Sequence, residues 1–420
     1  ISNVKTFLGE LKKDESLIFY YSNYSNPFSE DESKRYVIVG ISRLKHIPDN
    51  FMMYEKATAE EKRKYGGAFV WQMPVTSHYP EQGFRIPYHL YKDRPDILEK
   101  IALFPDNERC FKYAMRQMSD DDALEVIERA LDIVNVLQNE IGDTSEDWET
   151  RRKWLDSLIG ELWKNRGCYP GLPKVLNYLG VPALNTWFKE ETKKDKEEAA
   201  YQIIKEALLK NTPVLGVEIK KQEWNELQDW MAGCEEEDID LLLNVLPRFD
   251  IEEEQIEKIM EPDREKNNIY NTIKEIIENP YILCESYIGD NLDDKITFSK
   301  IDHGMLPSPD LGLEALTTAG SAIRFRALCV NDLKRVSTHT FTSADIVLNN
   351  VNRYLALMNE WRTYDFKKRN FESYEAELNK VIVKRKDADE NLHLYLKRVY
   401  DDERYIESKI RDMNKRKISS

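Results

Sequence analysis

Six histidines and five cysteines are the residues best suited to metal or nucleophile chemistry in this 420-residue chain. Their spacing points away from both. Cys110, Cys168, Cys234, Cys284 and Cys329 lie far apart with no Cys-x-x-Cys pair. That argues against a zinc ribbon and a secreted disulfide framework, and fits a reducing cytoplasm. No two of His46, His78, His89, His303, His339 and His393 stand at helical ligand spacing around a glutamate, so each reads as a hydrogen-bonded structural residue. Glu218-Ile-Lys220 on an expected strand, Val214 to Ile219, has the form of one end of a Mg²⁺ nuclease site. It lacks an acid on a neighbouring strand, because the upstream acids fall in the helical, lysine-rich stretch 193–198. None of the 16 glycines is followed by lysine, which removes a Walker phosphate loop, and no dinucleotide fingerprint appears. The chain is expected to hold no metal or cofactor and to turn over no ATP.

Two residue sets survive, both suited to nucleic acid. In an expected helix over 321–336, Arg324, Asn331 and Arg335 fall within roughly 40° of one another, with His339 and Thr340 in the following turn. Such a stripe can follow a phosphate backbone. Its competing reading is an ordinary solvated face. Near the N-terminus, Tyr20, Tyr21, Asn23 and Tyr24 occur with Arg43, His78 and Arg85. Aromatic and basic groups together can stack on and clamp an unstacked base. The competing reading places most of these tyrosines in a core.

The elements that must position these residues change character along the chain. The expected fold class is α+β, mostly α. Residues 1–118 open with an amphipathic helix and continue in short β-rich runs, Leu17–Tyr21, Tyr36–Ile41 and Ala68–Trp71, bounded by turn formers. From Ser119 the apolar period becomes helical, through 119–263. Residues 264–340 read as a helical hairpin with its following helix. Residues 341–420 read as winged-helix-like: helices, a hairpin of 381–383 with 392–396, then a last helix. Thr342 and Asp345 have capping-box spacing. Ile1 suggests that the natural start lies further upstream.

The formal net charge is −15, but it is uneven. Residues 235–263 hold twelve acids against two bases, and 361–386 hold eight bases against four acids. The acidic segment reads as a helix with a solvated face; docking of a protein partner there is the alternative. The overall charge does not exclude nucleic acid, which responds to local patches. Mean hydropathy is −0.62 and no apolar run approaches the ~18 residues of a membrane span, so no membrane partner is expected.

From about residue 265 the chain resembles the region before the motor in RecD-like superfamily-1 DNA helicases. Glu278-Asn-Pro-Tyr-Ile-Leu283 is similar to that family's Asn-Pro-Tyr-x-Leu step closing a helical hairpin. Ser321–Leu328 resembles its next helix. Thr338-His-Thr-Phe-Thr342 resembles its Gly-His-Thr-Phe turn, with threonine in place of glycine. Leu392–Leu396 and Tyr400–Ile406 resemble the strand and helix that lead into the motor. The resemblance implies a DNA-binding accessory region of an ATP-dependent 5′→3′ helicase, acting on single strands or junctions. It implies that ATP and Mg²⁺ belong to a motor beyond Ser420, and its family context suggests phage defence. Two other classes remain open. The runs 17–23 and 35–43 are similar to the barrel core of PUA-like modules, which read RNA or modified bases; residues 1–118 would then be a reader carried on a helical adaptor. The third class is a protein-interaction scaffold docking through 235–263.

Overall fold

The computed structural model describes residues 16–22, 37–43, 83–85, part of 120–134, 146–261, 272–285, 296–306, 308, 312–334, 340–356 and 358–418. Within these residues the protein is mostly helical with small antiparallel sheets, the α+β class expected. The chain divides into two compact units, Ile1–Leu162 and Trp163–Ser420. That division falls later than the change of period at Ser119.

The first unit holds a three-stranded antiparallel sheet of β1 (Leu17–Ser22), β2 (Val37–Arg43) and β3 (Gly83–Arg85), in that order. A register shift between Tyr20 and Tyr21 marks a bulge in β1. Ile41 and Ser42 are buried. The helical period after Ser119 appears as Ala123, Leu124, Val126, Ile127, Ala130, Leu131 and Val134, all buried. Helix α1 (Glu146–Arg166) follows and stops at Gly167, whose φ of +78° is open to glycine at no steric cost.

The second unit begins with α2 (Leu172–Tyr178), α3 (Pro182–Thr192), α4 (Glu197–Lys210) and α5 (Lys221–Gly233). Leu172, Leu176, Leu184, Phe188, Ile204 and Leu208 make their shared core. The segment 214–219 is irregular, so Glu218 and Lys220 lead into α5 instead of sitting on a strand. The acidic segment is a short helix α6 (Glu236–Asp240), a π turn (Leu241–Val245), a 3₁₀ turn (Leu246–Arg248) and α7 (Glu253–Met260). Leu241, Leu242, Leu243, Val245 and Leu246 turn inward while Glu235, Glu236 and Glu237 are exposed, which agrees with a solvated acidic face.

A second, larger core is built from the rest of the chain. It joins α8 (Ile273–Glu278), α9 (Ile282–Glu285), α10 (Phe298–Met305) and α11 (Ala322–Lys334). Thr272 caps α8 in a reciprocal box: its Oγ1 accepts from the Glu275 N–H (3.2 Å), and the Glu275 carboxylate accepts from the Thr272 N–H (2.8 Å). Asn279-Pro280 ends that helix and turns the chain directly into α9. Next come β4 (Phe341–Ser343), α12 (Ala344–Leu355), α13 (Asn370–Ser373), α14 (Glu375–Leu378), β5 (Ile382–Lys386), β6 (Leu392–Leu396) and α15 (Lys397–Ile418). The sheet order is β4-β6-β5, all antiparallel. Helix, short strand, helices, hairpin is the winged-helix order. Ser343, rather than Thr342, caps α12: it is the last residue of β4 and its hydroxyl accepts from the Asp345 N–H.

Candidate nucleic-acid interface

The stripe expected on α11 loses its first member to the interior. Arg324 is fully buried. Its Nε donates to Asp302 Oδ1 (2.8 Å), its Nη2 to Asp302 Oδ2 (2.9 Å) and its Nη1 to the Ala319 carbonyl (2.8 Å). Arg362 reaches the same carboxylate through Nε (3.0 Å) and Nη2 (2.8 Å), and the Tyr281 hydroxyl donates to Oδ1 (2.6 Å). Burial alone would raise the Asp302 carboxyl, but the two guanidinium groups outweigh it and hold the group well below the ordinary carboxylate value. Arg324 is therefore withdrawn as a DNA contact: it neutralises a buried acid. Of its companions, Asn331 is half-buried on α11 and Thr340 is exposed before β4. Arg335 and His339 lie outside the described residues.

His303 sits beside this cluster. It stacks on Trp163 with ring centroids 4.1 Å apart. Its Nδ1 approaches the Ser299 carbonyl (2.9 Å) and therefore donates to it, while Arg362 Nη1 donates to its Nε2 (3.3 Å). A ring nitrogen that accepts from a guanidinium carries no proton. Burial first, then Arg362, push the imidazole well below its ordinary pKa. The histidine is structural, in line with the sequence reading.

Arg326, two residues on from Arg324, is also buried. Its Nε donates to both carboxylate oxygens of Glu285 (3.0 and 2.9 Å), and its Nη1 reaches Glu377. It thus ties α11 to α9 and α14. Burial pushes the Glu285 carboxyl up to about 7, against the pull of Arg326. Asp250 pairs with Arg166 and, at 3.4 Å, with Lys300.

The N-terminal set is partly placed. Tyr20 pairs with Gly40, and Gly40 with Arg85, so Tyr20 and Arg85 share one cross-strand row. Tyr21 lies in β1 beyond the bulge. Arg43 ends β2 and is paired with Glu161 (2.8 Å). Asn23 and His78 lie outside the described residues.

Metal and thiol chemistry gain nothing from the fold. Among the described residues no group of three or more His, Cys, Asp or Glu is arranged to hold a metal. Cys168, Cys234, Cys284 and Cys329 are not in disulfides. Burial, aided by Glu197, pushes Cys168 up to about 12, the opposite of an activated nucleophile.

The sheet β4-β6-β5 supplies a surface that residue spacing alone did not single out. Its two faces alternate with period two. Thr342, Leu394 and Lys384 form one row, and Leu394 and Ile382 are buried against the core. Phe341, Tyr395 and Val383 form a row of the opposite face, with Ser343, His393 and Arg385 as the next. Phe341 remains 41% exposed. Its ring lies 5.1 Å from Tyr395 and 5.2 Å from His393. Tyr400, from the first turn of α15, meets Tyr395 edge-on at 5.3 Å. Arg385 lies over the Tyr400 ring at 5.0 Å and donates to its hydroxyl through Nη2 (2.7 Å) and Nε (3.2 Å). His393 Nε2 approaches Asp387 at 3.0 Å, and Asp387 in turn accepts the N–H groups of Asp389 and Asn391 in the hairpin loop. The alternation Leu-His-Leu-Tyr-Leu over 392–396 is the sequence signal for this face.

Two short helices precede the hairpin. Helices α13 and α14 carry Glu372, Glu375 and Glu377. Lys384 is spent on Glu375 (2.5 Å) and Lys380 on Glu377 (2.7 Å).

The described residues make a mostly helical protein with small antiparallel sheets. It is similar to the uncharacterized protein MJ1519 of Methanocaldococcus jannaschii, at 26% identity over 436 aligned residues covering 93% of this chain. The chain spans about a third of that relative's length, 35%. No protein-family profile matches it, and neither does any solved structure. Among the described residues no helix is long and apolar enough to cross a membrane.

Proposed function

We propose that this chain is the DNA-binding accessory region that precedes the motor of a RecD-like, ATP-dependent 5′→3′ DNA helicase. The observation that carries the reading is the position of the resembling segments within the second unit. Asn279-Pro280-Tyr281 lies at the joint of two short helices, Ser321–Leu328 opens α11, Phe341 begins a strand, and Leu392–Leu396 runs straight into α15. Tyr281, Ile282, Leu283, Phe325, Leu328 and Leu394 of these segments share one core, while Phe341, Tyr405 and Ile406 stay exposed. Tyr281 also has a defined task there, since its hydroxyl bonds to the buried Asp302.

On this reading the chain contributes DNA contacts and geometry, and ATP and Mg²⁺ are bound by the motor. The test is the coding sequence beyond Ser420 and the protein it encodes. A Gly-x-x-x-x-Gly-Lys-Thr segment is expected there, with DNA-stimulated ATP hydrolysis by the longer product. A continuing sequence without a nucleotide-binding loop removes the helicase assignment.

A further inference from the structure

We propose that the outer face of the β4-β6-β5 sheet is a stacking platform for unstacked bases of single-stranded DNA. Phe341 would be the principal ring and Arg385 the accompanying cation. The choice of DNA rests on the accessory-region reading; the platform itself rests on geometry.

Three observations converge. First, rings from two adjacent strands form a continuous surface: Phe341 on β4 touches both Tyr395 and His393 on β6, and remains 41% exposed. Side chains on neighbouring strands with a free face are how sheet-based single-strand binders accept bases, since every base offers a π face. Second, Arg385 is already ordered. Tyr400 Oη accepts from Nε and Nη2, and the guanidinium lies over the ring. Its Nη1 makes no hydrogen bond among the described residues, so it retains donors for a phosphate. Ordering the side chain in advance lowers the entropic cost of binding. Third, Asp387 at the hairpin loop is engaged by His393 and by its own loop, which leaves Glu403 as the acid whose charge is felt at Tyr395. A single strand needs only exposed rings and a cation. In a duplex the bases are stacked on one another and cannot use the platform.

The test uses the full 420-residue chain and a labelled ~12-nucleotide oligo-dT, with a duplex of equal length as competitor, in fluorescence anisotropy. The parent is expected to prefer the single strand. Phe341→Ala should weaken binding by about five-fold or more, and Phe341→Trp should restore it, because stacking requires only a ring. Arg385→Ala should reduce the salt slope by roughly 0.7. The thermal midpoint of Phe341→Ala should match the parent, which separates lost contact from lost fold. Parent-like affinity in Phe341→Ala overturns the platform while leaving the accessory-region reading intact. Equal competition by duplex also overturns it. If the parent binds neither polymer, the platform is overturned, and the helicase assignment is decided separately by the sequence and ATPase test beyond Ser420.

Discussion

Asp302 is a buried acid shared by two arginines and a tyrosine. One carboxylate accepts from Arg324, Arg362 and Tyr281, and so holds α10, α11, the turn around Arg362 and the start of α9 together. Two positive charges share one negative partner in a buried site. Removing the acid leaves both guanidinium groups uncompensated, a far greater loss than that of an exposed ion pair. Asp302→Asn is expected to destabilise the protein by about 3–5 kcal/mol in chemical denaturation. A loss of about 1 kcal/mol or less, as for a surface pair, would contradict this account. Arg324 shows why such a residue misleads in sequence. Helical angle fixes which residues share a face, but not whether that face meets water or a buried acid 22 positions earlier.

At the scale of elements, helix–helix approach is set by small residues as much as by large ones. Gly304 in α10 lies against the turn that carries Arg248 and Phe249, and Arg248 Nε donates to its carbonyl (3.0 Å). A Cβ there would come within 2.6 Å of the Phe249 ring and 2.7 Å of the Arg248 carbonyl oxygen. Gly304→Ala must push these elements apart and should cost about 1–3 kcal/mol. Gly160 within α1 has nothing within 4 Å of its would-be Cβ. There, Gly160→Ala should stabilise by about 0.5–1 kcal/mol through backbone entropy. Urea midpoints of the two variants should move in opposite directions; a shared direction would show that crowding is not what distinguishes them.

At the scale of the whole molecule, acid sensitivity follows from His303. Its folded pKa is depressed, so between the ordinary histidine value of about 6.5 and the folded value the unfolded chain binds the extra proton. The stabilising contribution is complete above about pH 6.5 and is lost as pH falls below it, by at most ~1.4 kcal/mol per pH unit. Asp302 adds a second loss only below the ordinary carboxylate range, because its folded value lies lower still. Glu285 acts in the opposite sense, since its carboxyl is raised to about 7. The informative comparison is therefore between the parent and His303→Gln, which preserves one donor and one acceptor without titrating. Across pH 7.5 to 5, the variant should lose less stability than the parent in urea denaturation. Parallel pH profiles would show that His303 does not carry the effect.

Much of the architecture follows from local physics and could be read from the sequence. Glu146–Arg166 is bounded by its own period and Gly167, α8 is ended by the Asn-Pro step, and the β5–β6 hairpin is marked by alternating side chains around a polar loop. Each signal acts within a few residues, the range over which caps, turns and periodicity operate. The placement of charge was decided by tertiary structure. Arg324 reads as a surface cation in the chain, yet it is buried against an acid distant in sequence, as are Arg326 and Arg362. The expected strand at 214–219 failed for a related reason: apolar residues establish a propensity, but a strand also needs a neighbour, and none pairs with it among the described residues. The outer sheet face required three strands, because Phe341, Arg385 and Tyr395 are separated by up to 54 positions and become neighbours only through the β4-β6-β5 register.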